Sequence, residues 1–165
     1  MPKPQPVPDG YGTVTPWVVT NDTRRLLEFV TQAFDAEELG RVEVEGGAIG
    51  HAEARIGDSI IMMFDSPFPV ATPGLLRVYV EDGDGVFRRA VDAGATVVTR
   101  LTELAWGDRV GRVRDPLGNL WWIQERVAEP TPEEAARRFQ DPKFTQAMHY
   151  LQSTLPDGLE TASPR

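Results

Sequence analysis

Cysteine is missing altogether from this 165-residue chain, which excludes a disulfide framework, a thiol nucleophile and thiolate metal sites. Histidine is nearly as scarce, with two copies at His51 and His149, a thin supply for imidazole-based metal chemistry. Basic residues are outnumbered, 17 Lys and Arg against 25 Asp and Glu, for a formal net charge of −8. A nucleic-acid backbone would be repelled on average, so no nucleic-acid partner is expected. Nowhere do eighteen apolar residues run together, and the opening Met1-Pro2-Lys3-Pro4-Gln5-Pro6-Val7-Pro8 has no apolar core of the kind a signal peptide needs. The expectation is a soluble, cytoplasmic protein with no membrane partner, long enough for one domain or two small modules.

What is present is organised around Trp106 to Gln124. Asp115-Pro116-Leu117-Gly118-Asn119 supplies a fixed φ at Pro116 and a residue free to take positive φ at Gly118, the composition of a tight turn. The run Leu120-Trp121-Trp122-Ile123 after it reads as a buried strand. A weaker copy lies about sixty residues earlier, where Gly57-Asp58-Ser59 precedes Ile60-Ile61-Met62-Met63-Phe64. Around each hairpin the pattern repeats. Thr13 to Thr20 is β-rich, with Pro16 placing it at an edge or near a strand start. Asp22 is a candidate cap for a helix with Leu26, Leu27, Val30, Ala33 and Phe34 on one face. Three strands follow, Glu37 to Glu45, Ala48 to Ile56 and Ser59 to Phe64, the first two joined through Glu45-Gly46-Gly47.

The second copy begins with a strand at Leu75 to Val80. Asp82 caps a helix striped by Val86, Phe87, Ala90 and Val91 and ended at Ala93-Gly94. Strands are predicted at Thr96 to Arg100, Arg109 to Arg114 and Leu120 to Glu125. The division is therefore a Pro-rich arm over 1–12, a first βαβββ module over 13–65, a linker over 66–74, a second βαβββ module over 75–127, and C-terminal helices and tail over 128–165. In that last segment Thr131-Pro132-Glu133-Glu134 is a strong helix start for a helix ending near Gln140. A second helix is expected from Pro142 to about Ser153, with the last ten residues frayed. The arm is expected to be extended, loosely held and without chemistry.

Tandem βαβββ modules, a capped helix in each, and Gly111-Arg112-Val113-Arg114-Asp115-Pro116-Leu117-Gly118-Asn119 before Trp121-Trp122-Ile123, with Trp106-Gly107-Asp108 upstream, together resemble the vicinal oxygen chelate superfamily. This is the glyoxalase, bleomycin-resistance and extradiol-dioxygenase group. The resemblance implies an α+β fold in which the two modules form a cup-shaped mixed sheet, followed here by a C-terminal helical appendage. It also implies a homodimer, and in the enzymes a divalent metal held by the first and last strands of each module. Carried over by spacing, those ligand positions fall on Thr15, Ile61, Leu75 and Trp122, none of them His, Glu or Asp. No metal and no cofactor are therefore expected.

Strand alternation suggests what lines the expected cup instead. Trp17, Met63, Leu75, Arg77, Tyr79, Trp122 and Gln124 share the face of the former ligand positions, with Trp106 in an adjoining loop. This lining suits a flat or apolar small molecule, and the branch it resembles is the bleomycin-resistance one, a non-enzymatic binder. Val18, Leu76, Val78, Trp121 and Ile123 face the helices. A lyase, isomerase or dioxygenase with a relocated metal or none is the alternative, with His51, Glu53 or Glu125 as acid or base. A third possibility is an interaction module whose cup is filled by side chains. Asp108, Arg109, Arg112 and Arg114 read as a mutually neutralised charged hairpin at the surface.

Overall fold

The computed structural model describes residues 5–68 and 73–159. The chain divides into two compact units, 1–70 and 71–165. The first contains β1 (Trp17–Thr20), α1 (Thr23–Phe34), β2 (Glu37–Glu43), β3 (Ile49–Ile56) and β4 (Ser59–Asp65). Its sheet runs β1-β4-β3-β2, with β1 parallel to β4 and the other pairs antiparallel. In the second, β5 (Leu75–Tyr79), α2 (Gly83–Asp92), β6 (Thr96–Glu103), β7 (Asp108–Arg114) and β8 (Leu120–Arg126) repeat that order as β5-β8-β7-β6. Three helices follow: α3 (Pro132–Gln140), α4 (Pro142–Ser153) and α5 (Leu155–Leu159). Each half is thus a βαβββ module.

Local chemistry sets the element boundaries. The Asp22 carboxylate accepts from the Arg25 amide to cap α1, and Asp82 does the same from Gly85 for α2, satisfying donors that a helix start leaves without partners. Thr131 accepts from Glu134 with Pro132 in the first turn of α3, and Asp141 accepts from Lys143 to start α4. Leu26, Leu27, Phe29, Val30, Ala33 and Phe34 are buried along α1. On α2, Val86 and Ala90 are buried while Val91 is exposed, so that stripe is narrower than its spacing predicts. β1 is shorter than expected, beginning at Trp17 directly after Pro16, which has no N–H to donate to a ladder.

The turn after β7 is built on Asp115. One carboxylate oxygen accepts from the amides of Leu117 and Asn119, the other from Asn119 Nδ2 and Trp121 Nε1. Gly118 closes it at φ +97°, a left-handed conformation that a side chain resists. Asn119 Oδ1 then accepts from the Gly74 amide and fixes the entry to β5.

Trp121, Ile123 and Val78 are buried on the α2 side of their sheet, and Val18 on the α1 side of its own. In the first module the cross-strand register corrects the predicted faces. Trp17 pairs with Met62 and Val18 with Met63, so Met63, fully buried, lies with Val18, Ala52 and Ala54 in the core and not beside Trp17. Ile61 shares that core face. The arm also differs from its expected looseness: the Tyr11 hydroxyl donates to Glu53 on β3. The expected fraying of the last ten residues does not hold for 156–159, which lie in α5; residues 160–165 fall outside the described residues, as do 1–4 of the arm and 69–72 of the linker. Among the described residues no helix is long and apolar enough to cross a membrane.

Candidate functional site

The sheet face of the first module turned away from α1 carries a polar and aromatic cluster. Trp17 on β1 is 52% exposed. Its ring centre lies 5.5 Å from that of Phe64, edge-on, and 5.5 Å from that of His51, tilted by 58°. His51 Nε2 stands 2.9 Å from Glu53 Oε1, and the other Glu53 oxygen accepts the Tyr11 hydroxyl. The Tyr11 bond, then the His51 bond, holds the Glu53 carboxyl below the usual carboxylate range. Both His51 and Glu53 are half-buried, so these bonds form where water competes only partly.

The second module presents the equivalent face differently. Parallel pairing of β5 with β8 sets Leu75, Arg77 and Tyr79 beside Leu120, Trp122 and Gln124, as alternation predicts. Much of this face is covered by α4. Leu151 packs with Leu104 and Val110 in a buried cluster, against which Trp106, Trp122, Ala147 and Met148 also lie. Arg112 sits over the Trp122 ring, its guanidinium carbon 4.8 Å from the ring centre. Its Nη1 donates to the Leu151 carbonyl at 2.7 Å and to Thr99 Oγ1 at 3.2 Å. Buried Asp108 accepts from Trp106 Nε1 at 3.2 Å and from Gln124 Nε2. Trp106, Trp122 and Gln124 therefore do come together, with their polar atoms and part of their surface engaged by the chain itself. Leu75, Arg77 and Tyr79 stay exposed at the edge strand.

The charged hairpin is divided between two environments and is not a surface patch. Asp108 and Arg112 are buried, Arg112 against α4 through its bond to the Leu151 carbonyl. Arg109 faces α2, where it forms ion pairs with Asp84 and Glu125. Glu125 thus belongs to the helix-packed side and not with Trp122 and Gln124. A cavity of about 330 Å³ lies among the C-terminal helices, walled by Ala105, Phe139, Phe144, Met148, His149 and Gln152.

A divalent metal of the kind the enzymes use needs about three imidazole or carboxylate donors converging on one point. Thr15, Ile61, Leu75 and Trp122 supply none, and among the described residues no three His, Asp or Glu side chains gather closely enough to hold an ion. The donor set does not fit a metal of this class. Two members of the first-module cluster lay outside the sequence reading. Phe64 was hidden by the one-residue register difference, which reverses a strand's faces. Tyr11 carries no local signal within a Pro-rich arm.

Comparison with known proteins agrees with this architecture. The sequence model of the Glyoxalase/Bleomycin resistance protein/Dioxygenase superfamily matches residues 11–123, so α3, α4 and α5 lie beyond the matched region. An uncharacterized protein of Mycobacterium tuberculosis H37Rv, Rv0887c, is 38% identical over 133 residues, covering 73% of this chain and 78% of that protein. Among solved structures, TioX from Micromonospora sp. ML1 is 28% identical with a TM-score of 0.58, covering 73% of this chain and 100% of TioX. The fosfomycin resistance protein FosX from Listeria monocytogenes shares the fold at 15% identity and a TM-score of 0.56, over 75% of this chain and 97% of its own. With its paired βαβββ modules and a family match over most of its length, the chain belongs to the Glyoxalase/Bleomycin resistance protein/Dioxygenase superfamily.

Proposed function

We propose that this chain is a metal-free binding protein that sequesters an aromatic or otherwise apolar small molecule, with the open sheet face of the first module as its contact surface. The observation that carries this reading is Trp17. An indole with half its surface in solvent, braced edge-on by Phe64 and flanked by His51, forgoes burial that a core position would provide and offers a rigid stacking plane. Trp121, by contrast, is fully buried in the second module. The donor set that does not fit a metal centre supports the same reading.

Calorimetric titration with planar two-ring compounds tests it. Saturable binding is expected, weakened by roughly 1 kcal/mol or more in Trp17→Ala. An unaltered affinity in that variant, or a stoichiometric Fe, Mn, Ni or Zn in the purified protein, overturns the proposal. The reading includes a homodimer, supported by the exposed edge strand β2 with Val42 58% exposed and nearby Val44 50% exposed. Sedimentation as a monomer at micromolar concentration would remove that part.

One observation favours a second reading, an acid–base lyase or isomerase on the same scaffold: His51 is held by an ionised carboxylate, the arrangement of an oriented base. Recovery of the bound compound unchanged after prolonged incubation rules this reading out.

A further inference from the structure

Building on that binding reading, we infer that the first-module face selects ring systems bearing a hydroxyl or N–H donor, which is received by Nδ1 of His51. Both oxygens of Glu53 are engaged, one with His51 Nε2 and the other with the Tyr11 hydroxyl. A carboxylate without its proton can only accept hydrogen bonds, so Nε2 carries the hydrogen in the His51–Glu53 pair. A neutral imidazole has one N–H, which leaves Nδ1 as a bare lone pair. No hydrogen bond reaches Nδ1 among the described residues, and a third of the His51 side chain is exposed. In the neutral ring the Glu53 bond thus makes Nδ1 the acceptor, on a partly exposed side chain beside the Trp17 ring.

The pairing sets the ligand's chemistry. A flat ring lying on Trp17 has its rim near the His51 edge, since the two ring centres are 5.5 Å apart. A phenol or pyrrole-type N–H at that rim completes a hydrogen bond. An ether in the same place leaves two acceptors facing each other, and a carboxylate adds repulsion from Glu53. Tyr11 contributes by holding Glu53 in place from the arm, so it is a positioning residue.

The test compares 2-naphthol with 2-methoxynaphthalene, which share a ring system and differ in the donor, by calorimetric titration of the full chain. One neutral hydrogen bond corresponds to roughly threefold to tenfold tighter binding of the naphthol. In His51→Phe that preference for the naphthol over the ether is expected to vanish; Tyr11→Phe is expected to reduce it partly. Equal affinity of the two compounds for the unsubstituted protein overturns this inference and leaves the binding reading standing. Absence of binding by either compound overturns both.

Discussion

Arg112 lies over Trp122 with its guanidinium carbon 4.8 Å from the ring centre, and from there it donates 2.7 Å to the carbonyl of Leu151 in the last turn of α4. Carbonyls at a helix end lack donors within the helix, and the helix dipole favours a cation there. Burial pushes the Arg112 pKa down from its usual value, yet a guanidinium stays charged at neutral pH. This one side chain therefore ties the second sheet to the C-terminal helices.

Arg112→Met keeps the bulk and removes the donors. The expected result is a loss of about 1 to 3 kcal/mol in urea unfolding, the range for removing a buried hydrogen bond from a charged donor, since the Leu151 carbonyl keeps only a 3.4 Å contact from Thr154 Oγ1. Amide exchange should quicken in α4 and remain slow in α1. Unchanged α4 protection would show that the other contacts of α4, among them Tyr150 with Arg100 and Lys143 with Glu103, seat the helix without Arg112.

Asp115→Ala should cost more. Four donors, the Leu117 and Asn119 amides, Asn119 Nδ2 and Trp121 Nε1, lose their common acceptor in a buried setting. A destabilisation of about 2 to 4 kcal/mol is expected, with Asp115→Asn intermediate because its amide can serve some of these donors. Denaturant midpoints of the two variants provide the check.

Acid should weaken the fold through carboxylates whose folded pKa lies below the ordinary value; Asp84, lowered by its bond from Arg109, is the most exposed of four, and the other three are partly buried. Glu53 is lowered by Tyr11 and then His51, and Glu103 chiefly by Lys143 with help from Arg138. For Asp65, burial raises the pKa, but the Ile49 and Thr23 amides outweigh it and the net shift is downward. Each stays ionised in the folded chain at a pH where the unfolded chain would take up a proton. Their stabilisation is present above the ordinary carboxylate range, about pH 4, and is lost as pH falls through the lower folded values. Urea midpoints between pH 7 and pH 3 should fall at the acid end, less steeply in Glu53→Gln. An identical slope in that variant would remove Glu53 from the account.

Features governed by neighbours in sequence were legible beforehand. Asp22, Asp82, Thr131 and Pro132 mark helix starts because caps act over three residues, and Asp115 to Asn119 marks a turn for the same reason. Alternation also gave the faces of β5 and β8 correctly, because the residues assigned to one face there, Leu75, Arg77 and Tyr79 with Leu120, Trp122 and Gln124, fall opposite one another in the register. It failed between β1 and β4, where nothing local sets whether Trp17 meets Met62 or Met63. The Tyr11–Glu53 bond spans 42 positions, and the burial of Arg112 depends on a helix end 39 positions away. Arg112 therefore looked like a surface charge, because its cover comes from a segment outside the duplicated pattern.

The placement of α4 has a consequence for counting. An internal duplication begins with two comparable faces, but here one of them carries the chain's own tail while the other keeps its indole uncovered. Titrations of the intact protein should accordingly reach their plateau at a single molar equivalent per polypeptide, and the halves, alike in topology, should differ in duty.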